Sequence, residues 1–119
     1  MRFEWDEGKN RVNQAKHNGL DFETAARVFN DPKVVLAKDR IVEGELRWHA
    51  MGEVSGAILL VVHTYQEEDD GEEIIRIISA REANQRERRV YIHQGAEQAA
   101  EVGTAPNRAA SGRRRRFRG

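Results

Sequence analysis

Four short segments rich in β-branched and aromatic residues are the feature of this sequence that most restricts its fold. They follow one another after residue 33, and glycine-containing turns separate them at Glu43-Gly44, Ser55-Gly56 and Asp70-Gly71. Runs of this composition favour strands, and short glycine turns join neighbouring strands in antiparallel pairs. The pattern therefore predicts an antiparallel β-meander whose strands cover residues 34–37, 46–52, 57–65 and 73–80.

The third of these segments has a special place in the predicted sheet. Residues 58–62 are apolar without alternation, which is typical of a strand that is covered on both faces. This segment is therefore predicted to be a central strand, and we expect helices to pack on at least one face of the sheet.

The N-terminal part of the chain predicts a short strand and a first helix. Polar and aromatic residues alternate over residues 2–5, and Asp6 can then cap a helix over residues 7–18. That helix is strongly polar, with Val12 and Ala15 as its main apolar positions. We interpret it as a thin helix on the protein surface.

Two further helices are predicted on either side of the meander. The first begins after Asp21 and ends before Pro32, and the second runs from Arg81 through Tyr91 and a turn or two beyond. In the C-terminal helix, Arg86 and Glu87 fall inside the apolar stripe formed by Ala80, Ala83, Val90 and Tyr91. Since an inward charge must be paired or left open to a groove, these two residues predict an ion pair or a site. The predicted fold class is α+β.

The charge of the chain is unevenly distributed. The formal net charge of the 119 residues is zero, but residues 104–119 contain six arginines and no acidic residue. Residues 1–103 therefore hold 14 basic and 20 acidic side chains and have a formal charge of −6. This length suits one domain, over residues 1–103, and residues 104–119 are predicted to be a disordered Arg-rich tail. Because residues 1–103 are acidic overall, they could bind nucleic acid only through a local cluster of basic residues.

Several classes of protein and of site are not indicated by the sequence. There is no cysteine, no apolar run long enough to span a bilayer and no signal-peptide pattern, so we expect a cytoplasmic protein without membrane contact. A glycine-rich phosphate loop, a zinc-type His-Glu-x-x-His motif and a Gly-x-Ser-x-Gly elbow are also missing. The expected site therefore has no metal and no cofactor, and covalent acyl chemistry lacks its usual motif.

Polar residues among apolar neighbours indicate a candidate site on the last two strands. His63 shares strand parity with Leu59 and Val61, and Arg76 lies between Ile74 and Ile78. A hairpin that turns about Asp70-Gly71 would make His63 and Arg76 direct or diagonal neighbours on one face. With Arg81 at the junction between strand and helix, such a cluster would suit an anionic oxygen of a phosphate or a carboxylate.

A series of motifs between residue 2 and roughly residue 94 resembles the BrnT toxins of type II toxin-antitoxin systems. The motifs are Phe3-Glu4-Trp5-Asp6, Lys16-His17 before Gly19, Phe22-Glu23-x-Ala25, Val28-Phe29-x-Asp31-Pro32, Gly44-Glu45-x-Arg47-Trp48, residues 60–64, and residues 76–83 followed by Glu87 and Tyr91. The resemblance implies a RelE-like fold and metal-independent cleavage of RNA with inhibition of translation. It also implies neutralisation by a BrnA-like ribbon-helix-helix antitoxin, through which alone the toxin would meet operator DNA.

Cleavage of RNA without a metal uses the neighbouring 2′-hydroxyl as nucleophile, so each candidate residue can be given a role. His63 is the first candidate for acid or base. Arg76 and Arg81 would hold the phosphate, and Glu87 would be an alternative base or would orient Arg81. Tyr91 would supply a hydroxyl or a stacking surface. The residues expected to extend the RNA-binding surface are Arg47, Trp48 and Arg86.

Each role has a structural alternative. His63 could be a hydrogen-bonded structural residue, Arg76 could pair with Glu87 across the interface of strand and helix, and Tyr91 and Trp48 could belong to the core. A second class of function is also open, in which the same scaffold is a non-catalytic module that binds a protein or a nucleic acid.

Overall fold

A computed structural model describes the backbone of residues 1–104 and the side chains of residues 1–94. The α+β prediction is confirmed, and the predicted Arg-rich tail lies outside the described residues except for Thr104. Among the described residues, no helix is both long and apolar enough to cross a membrane. The elements are β1 (Arg2–Glu4), α1 (Glu7–Lys16), α2 (Phe22–Ala26), a 3₁₀ turn (Arg27–Asn30), β2 (Val35–Val42), β3 (Glu45–Val54), β4 (Ala57–Glu67), β5 (Glu73–Glu82) and α3 (Gln85–Thr104).

The strands of the described residues form one sheet in the order β1-β5-β4-β3-β2. The antiparallel meander is confirmed, since β2, β3, β4 and β5 pair in sequence. The apolar strand β4 lies in the centre, as its composition predicts. Strand β1 pairs with β5 in parallel, with Phe3 opposite Ile75, so that the N-terminus closes one edge of the sheet.

The two faces of the sheet have different cover. On the face that we call the α1–α2 face, α1, α2 and the 3₁₀ turn bury the main core, in which Phe22, Val28 and Ile75 are fully buried. On the opposite face, which we call the α3 face, α3 covers a smaller cluster of Val35, Met51, Leu60 and Tyr91. Beyond this cluster the α3 face also carries charged side chains, among them Arg47 and Arg76, so a site on this face can be open to solvent.

Helix α1 is held to the sheet by asparagines and not by its main apolar positions. Val12 is 53% exposed, whereas Asn10 and Asn13 are buried. Asn13 accepts a hydrogen bond from the Ala80 backbone N–H at 3.0 Å and donates to the Leu20 carbonyl oxygen. Because these amides satisfy buried backbone groups, the polar composition of the helix is compatible with packing on the sheet.

The C-terminal helix begins later than the sequence indicates. Arg81 and Glu82 still belong to β5, opposite Leu60 and Leu59, and α3 begins at Gln85. Asn84 Oδ1 accepts a hydrogen bond from the Glu87 backbone N–H at 2.8 Å, and Glu87 Oε1 accepts one from the Asn84 backbone N–H at 2.9 Å. This reciprocal pair is a capping box, which fixes the helix start.

Candidate active site

A β-bulge in the β4–β5 hairpin separates His63 from Arg76. Val62 lies opposite Ser79, but His63 lies opposite Ile77 and Thr64 opposite Arg76. Ile78 is therefore an extra residue on β5, and it reverses the parity of the strand beyond it. The predicted neighbourhood of His63 and Arg76 on one face was wrong, because the two side chains lie on opposite faces of the sheet.

His63 lies in the core of the α1–α2 face. It is fully buried, and its ring meets the ring of Phe29 edge-on at a centroid distance of 5.0 Å. Burial lowers the pKa of His63 to about 4, against the smaller opposing effect of a hydrogen bond with the Val61 backbone. A neutral imidazole sealed from solvent favours the structural alternative for this residue.

Trp48 and Tyr91 are also core residues in this structure. Trp48 is 9% exposed and lies opposite His63 on the α1–α2 face. Tyr91 is 6% exposed beneath α3, and its hydroxyl donates a hydrogen bond to Asp31. The pKa of Tyr91 is raised, mainly by burial of the hydroxyl and to a smaller extent by its hydrogen bond to the Asp31 carboxylate. Both positions favour packing over contact with RNA.

Glu87 forms an ion pair with Arg81, which the sequence analysis named as a residue that Glu87 could orient, and not with Arg86, the other inward charge expected on the last helix. The guanidinium nitrogens Nη1 and Nη2 of Arg81 each lie 2.8 Å from one carboxylate oxygen of Glu87. The hydrogen bonds from Arg81 lower the pKa of Glu87, and the same contact raises that of Arg81. The alternative pairing of Arg76 with Glu87 was wrong, since Arg76 instead contacts Glu45.

Arg47 and Arg76 come together on the α3 face, at the end away from α3. They line a groove of about 620 Å³, which the hairpin between β2 and β3 borders on one side and Lys9 on the other. Arg76 Nη2 lies 2.5 Å from Glu45 Oε1, with about 44% of each side chain exposed. Arg47 Nε is buried and has no hydrogen-bond partner among the described residues. An unsatisfied buried N–H costs about 1–3 kcal/mol, and an anion in the groove would meet Arg47 through the part of its side chain that lines the groove.

His49 and Asp39 stand beside this groove and were missed by the sequence analysis. His49 lies two residues after Arg47 on β3, hence on the same face and about 7 Å along the strand. Its Nε2 atom lies 3.2 Å from Asp39 Oδ2 on β2. The signal was strand alternation, because a core position at Trp48 turns its neighbour His49 to the opposite face.

Arg86 completes the set of predicted residues. It is exposed on the first turn of α3 and, together with His49 and Glu87, lines a small cavity between α3 and the sheet. The α3 face thus brings together Arg47, Arg76, Arg81, Arg86 and Glu87. The side chains of His63 and Trp48 lie on the other face. Tyr91 lies on the α3 face, but it is buried between α3 and the sheet.

Comparison with protein families gives one match that covers most of the chain. The family described as the ribonuclease toxin BrnT of type II toxin-antitoxin systems matches residues 5–87. The chain belongs to the BrnT family. The matched segment contains the arginines of the groove, His49 and the Arg81–Glu87 pair, and it ends before Tyr91. Comparison with curated proteins found no significant match.

Membership of the BrnT family confirms the resemblance found in the sequence. The family consists of ribonuclease toxins, and a type II toxin-antitoxin system implies an antitoxin protein as partner. Arginine side chains on an open sheet face are consistent with contact to the phosphate groups of RNA.

Proposed function

We propose that this chain is an endoribonuclease that cleaves RNA without a metal ion, with its active site on the α3 face. The observation that carries the proposal is the pair of arginines Arg47 and Arg76 in one open groove, with His49 two residues after Arg47 on the same face of β3. The groove is also lined by Asp6, Glu43 and Glu45, so a phosphate would be attracted by direct contact with the two guanidinium groups and not by a net positive charge of the groove.

The proposed reaction is attack of the RNA 2′-oxygen on the adjacent phosphorus. The 2′-hydroxyl gives its proton to the His49 imidazole, the bond from phosphorus to the 5′-oxygen breaks, and the 5′-oxygen takes up a proton from solvent water. The imidazolium of His49 then returns its proton to solvent. The products are a 2′,3′-cyclic phosphate and a 5′-hydroxyl. Imidazole is the commonest proton-transfer group in enzymes, and the Asp39 carboxylate would hold that of His49 in place.

The two groove arginines would stabilise the negative charge that develops on the pentavalent phosphate. Arg47, which lines the groove, would donate from the accessible part of its guanidinium group to one phosphate oxygen. Arg76 would exchange its contact with Glu45 for a second oxygen. Arg81, already tied to Glu87, would keep the start of α3 in place at the rim of the site.

The cellular part of the proposal follows from the family. We propose a RelE-like fold, supported by the β-meander with helices on both of its faces. We further propose that the chain acts in the cytoplasm, inhibits translation by cutting RNA, and is neutralised by a BrnA-like ribbon-helix-helix antitoxin that alone carries the complex to operator DNA.

Incubation of the purified chain with bulk RNA, with and without EDTA, tests this function. We expect cleavage of equal rate in both samples, because no step of the reaction uses a metal, and 2′,3′-cyclic phosphate ends on the fragments. RNA that stays intact at high protein concentration would instead support the non-catalytic binding module. Cleavage that EDTA abolishes would overturn the metal-independent mechanism.

A further inference from the structure

A small cavity between α3 and the sheet has His49 as its only lining residue, among those the structure describes, with a role in the cleavage chemistry proposed above. Its volume is about 240 Å³. Five of the residues that line it are apolar: Val35, Ala37, Met51, Leu60 and Val90. We call this cavity the α3 pocket.

The rim of the α3 pocket carries three polar side chains, His49, Arg86 and Glu87. Both carboxylate oxygens of Glu87 are engaged by Arg81. The side chain of Arg86 is exposed and makes no hydrogen bond or ion pair with any described residue. Arg86 is therefore the rim group that is available to a ligand, and a planar guanidinium can stack on an aromatic ring or donate two hydrogen bonds to its edge.

The α3 pocket and the groove are separate cavities, and each is lined by a residue of strand β3. Arg47 lines the groove and His49 lines the pocket, and the two residues lie about 7 Å apart on the same face. A ligand that reached both would have an anionic end among the arginines and a flat apolar end beneath α3. A nucleotide unit has this form, since its base is an aromatic ring joined to a phosphate through the sugar.

The size of the pocket limits what can enter it. Pockets for drug-sized ligands measure about 300–1,000 Å³, so a cavity of about 240 Å³ suits a single ring system and excludes a peptide helix. We propose that the α3 pocket is a nucleobase subsite, which holds the base next to the scissile phosphate and influences where RNA is cut. This inference rests on the proposed function for the identity of its substrate.

Binding of ribonucleoside 5′-monophosphates, compared with ribose 5-phosphate, tests the subsite by NMR titration of the full chain. We expect at least one nucleotide to bind about tenfold more tightly than the sugar phosphate, since burial of one base on stacking surfaces is worth about that factor. We also expect its addition to shift the signals of the Val90 methyl groups and the His49 ring.

Two variants locate the base. Val90 is 43% exposed, so Val90→Trp should fill the pocket without disturbing the core and should reduce nucleotide affinity to that of ribose 5-phosphate. Arg86→Ala removes the free rim group and should weaken nucleotide binding about threefold to tenfold. Ile92→Trp is the matched control, because Ile92 is 58% exposed on the same helix and does not line the pocket.

Equal affinity for nucleotides and ribose 5-phosphate, or equal loss in the Val90→Trp and Ile92→Trp variants, would overturn the subsite. This readout needs no cleavage. Intact RNA in the cleavage assay would overturn the proposed ribonuclease activity. RNA cleavage together with equal binding of nucleotides and ribose 5-phosphate would overturn the nucleobase subsite alone.

Discussion

Between pH 7.5 and pH 4, the free energy of unfolding of the wild-type chain is expected to fall by about 3 kcal/mol more than that of a His63→Gln variant. His63 has an ordinary pKa of 6.5, and burial lowers this pKa to about 4 in the folded chain. Below pH 6.5 the unfolded chain therefore binds a proton that the folded chain does not bind, so stability declines as the pH falls. The decline levels off below pH 4, where His63 becomes protonated in the folded state as well.

Urea denaturation of both proteins across this pH range measures the difference. His63→Leu serves as a second variant in case glutamine is poorly accommodated in the apolar core. In parallel, the ring protons of His63 should show no titration above pH 5 in NMR spectra of the wild-type protein. Parallel pH profiles for wild type and both variants would contradict the burial of a neutral imidazole.

Replacing Arg76 by alanine is expected to slow RNA cleavage by about 10²–10³-fold, the usual effect of removing one preorganised donor to a developing oxyanion. The loss has two parts. The phosphate loses a cationic partner. In addition, the negative charge of Glu45, which contacts Arg76 in the wild-type protein, is left without its partner in the groove. The fold should persist, because about 44% of the Arg76 side chain is exposed.

Single-turnover cleavage of one RNA substrate measures this effect, with thermal unfolding as a check on the fold. Arg11→Ala is the matched control, because Arg11 is an exposed arginine on α1, the helix that covers the opposite face. It should cleave at the wild-type rate. Equal losses in the two variants would mean that the arginines act only through the overall charge of the protein.

Local pattern was sufficient to predict most of the elements. Alternation and glycine turns predict the four strands of the meander, because these signals lie within each hairpin. The parallel pairing of Phe3 with Ile75 has no such local signal, since it joins residues that are far apart in the chain. The C-terminal helix was placed too early because Arg81 and Glu82 are good helix formers, whereas pairing with β4 keeps them in a strand.

The candidate site shows the limit of sequence reasoning more clearly. The parity argument for His63 and Arg76 was sound within a regular hairpin, but one extra residue, Ile78, reverses the face of everything beyond it. Such a bulge cannot be read from composition. Arg76 could be found because a charge is unexpected between Ile74 and Ile78, and Arg47 because it belongs to a motif of the family. His49 could be found only by assigning Trp48 to the core first.

Two histidine variants test most directly whether RNA is cleaved on the α3 face. Cleavage of RNA in EDTA at neutral pH should be at least about a hundredfold slower for His49→Gln than for wild type, the size expected for loss of a proton-transfer group. Under the same conditions His63→Gln should stay within about threefold of wild type, because His63 is fully buried on the other face. The opposite order, with His63→Gln inactive although folded and His49→Gln active, would contradict a catalytic site on the α3 face.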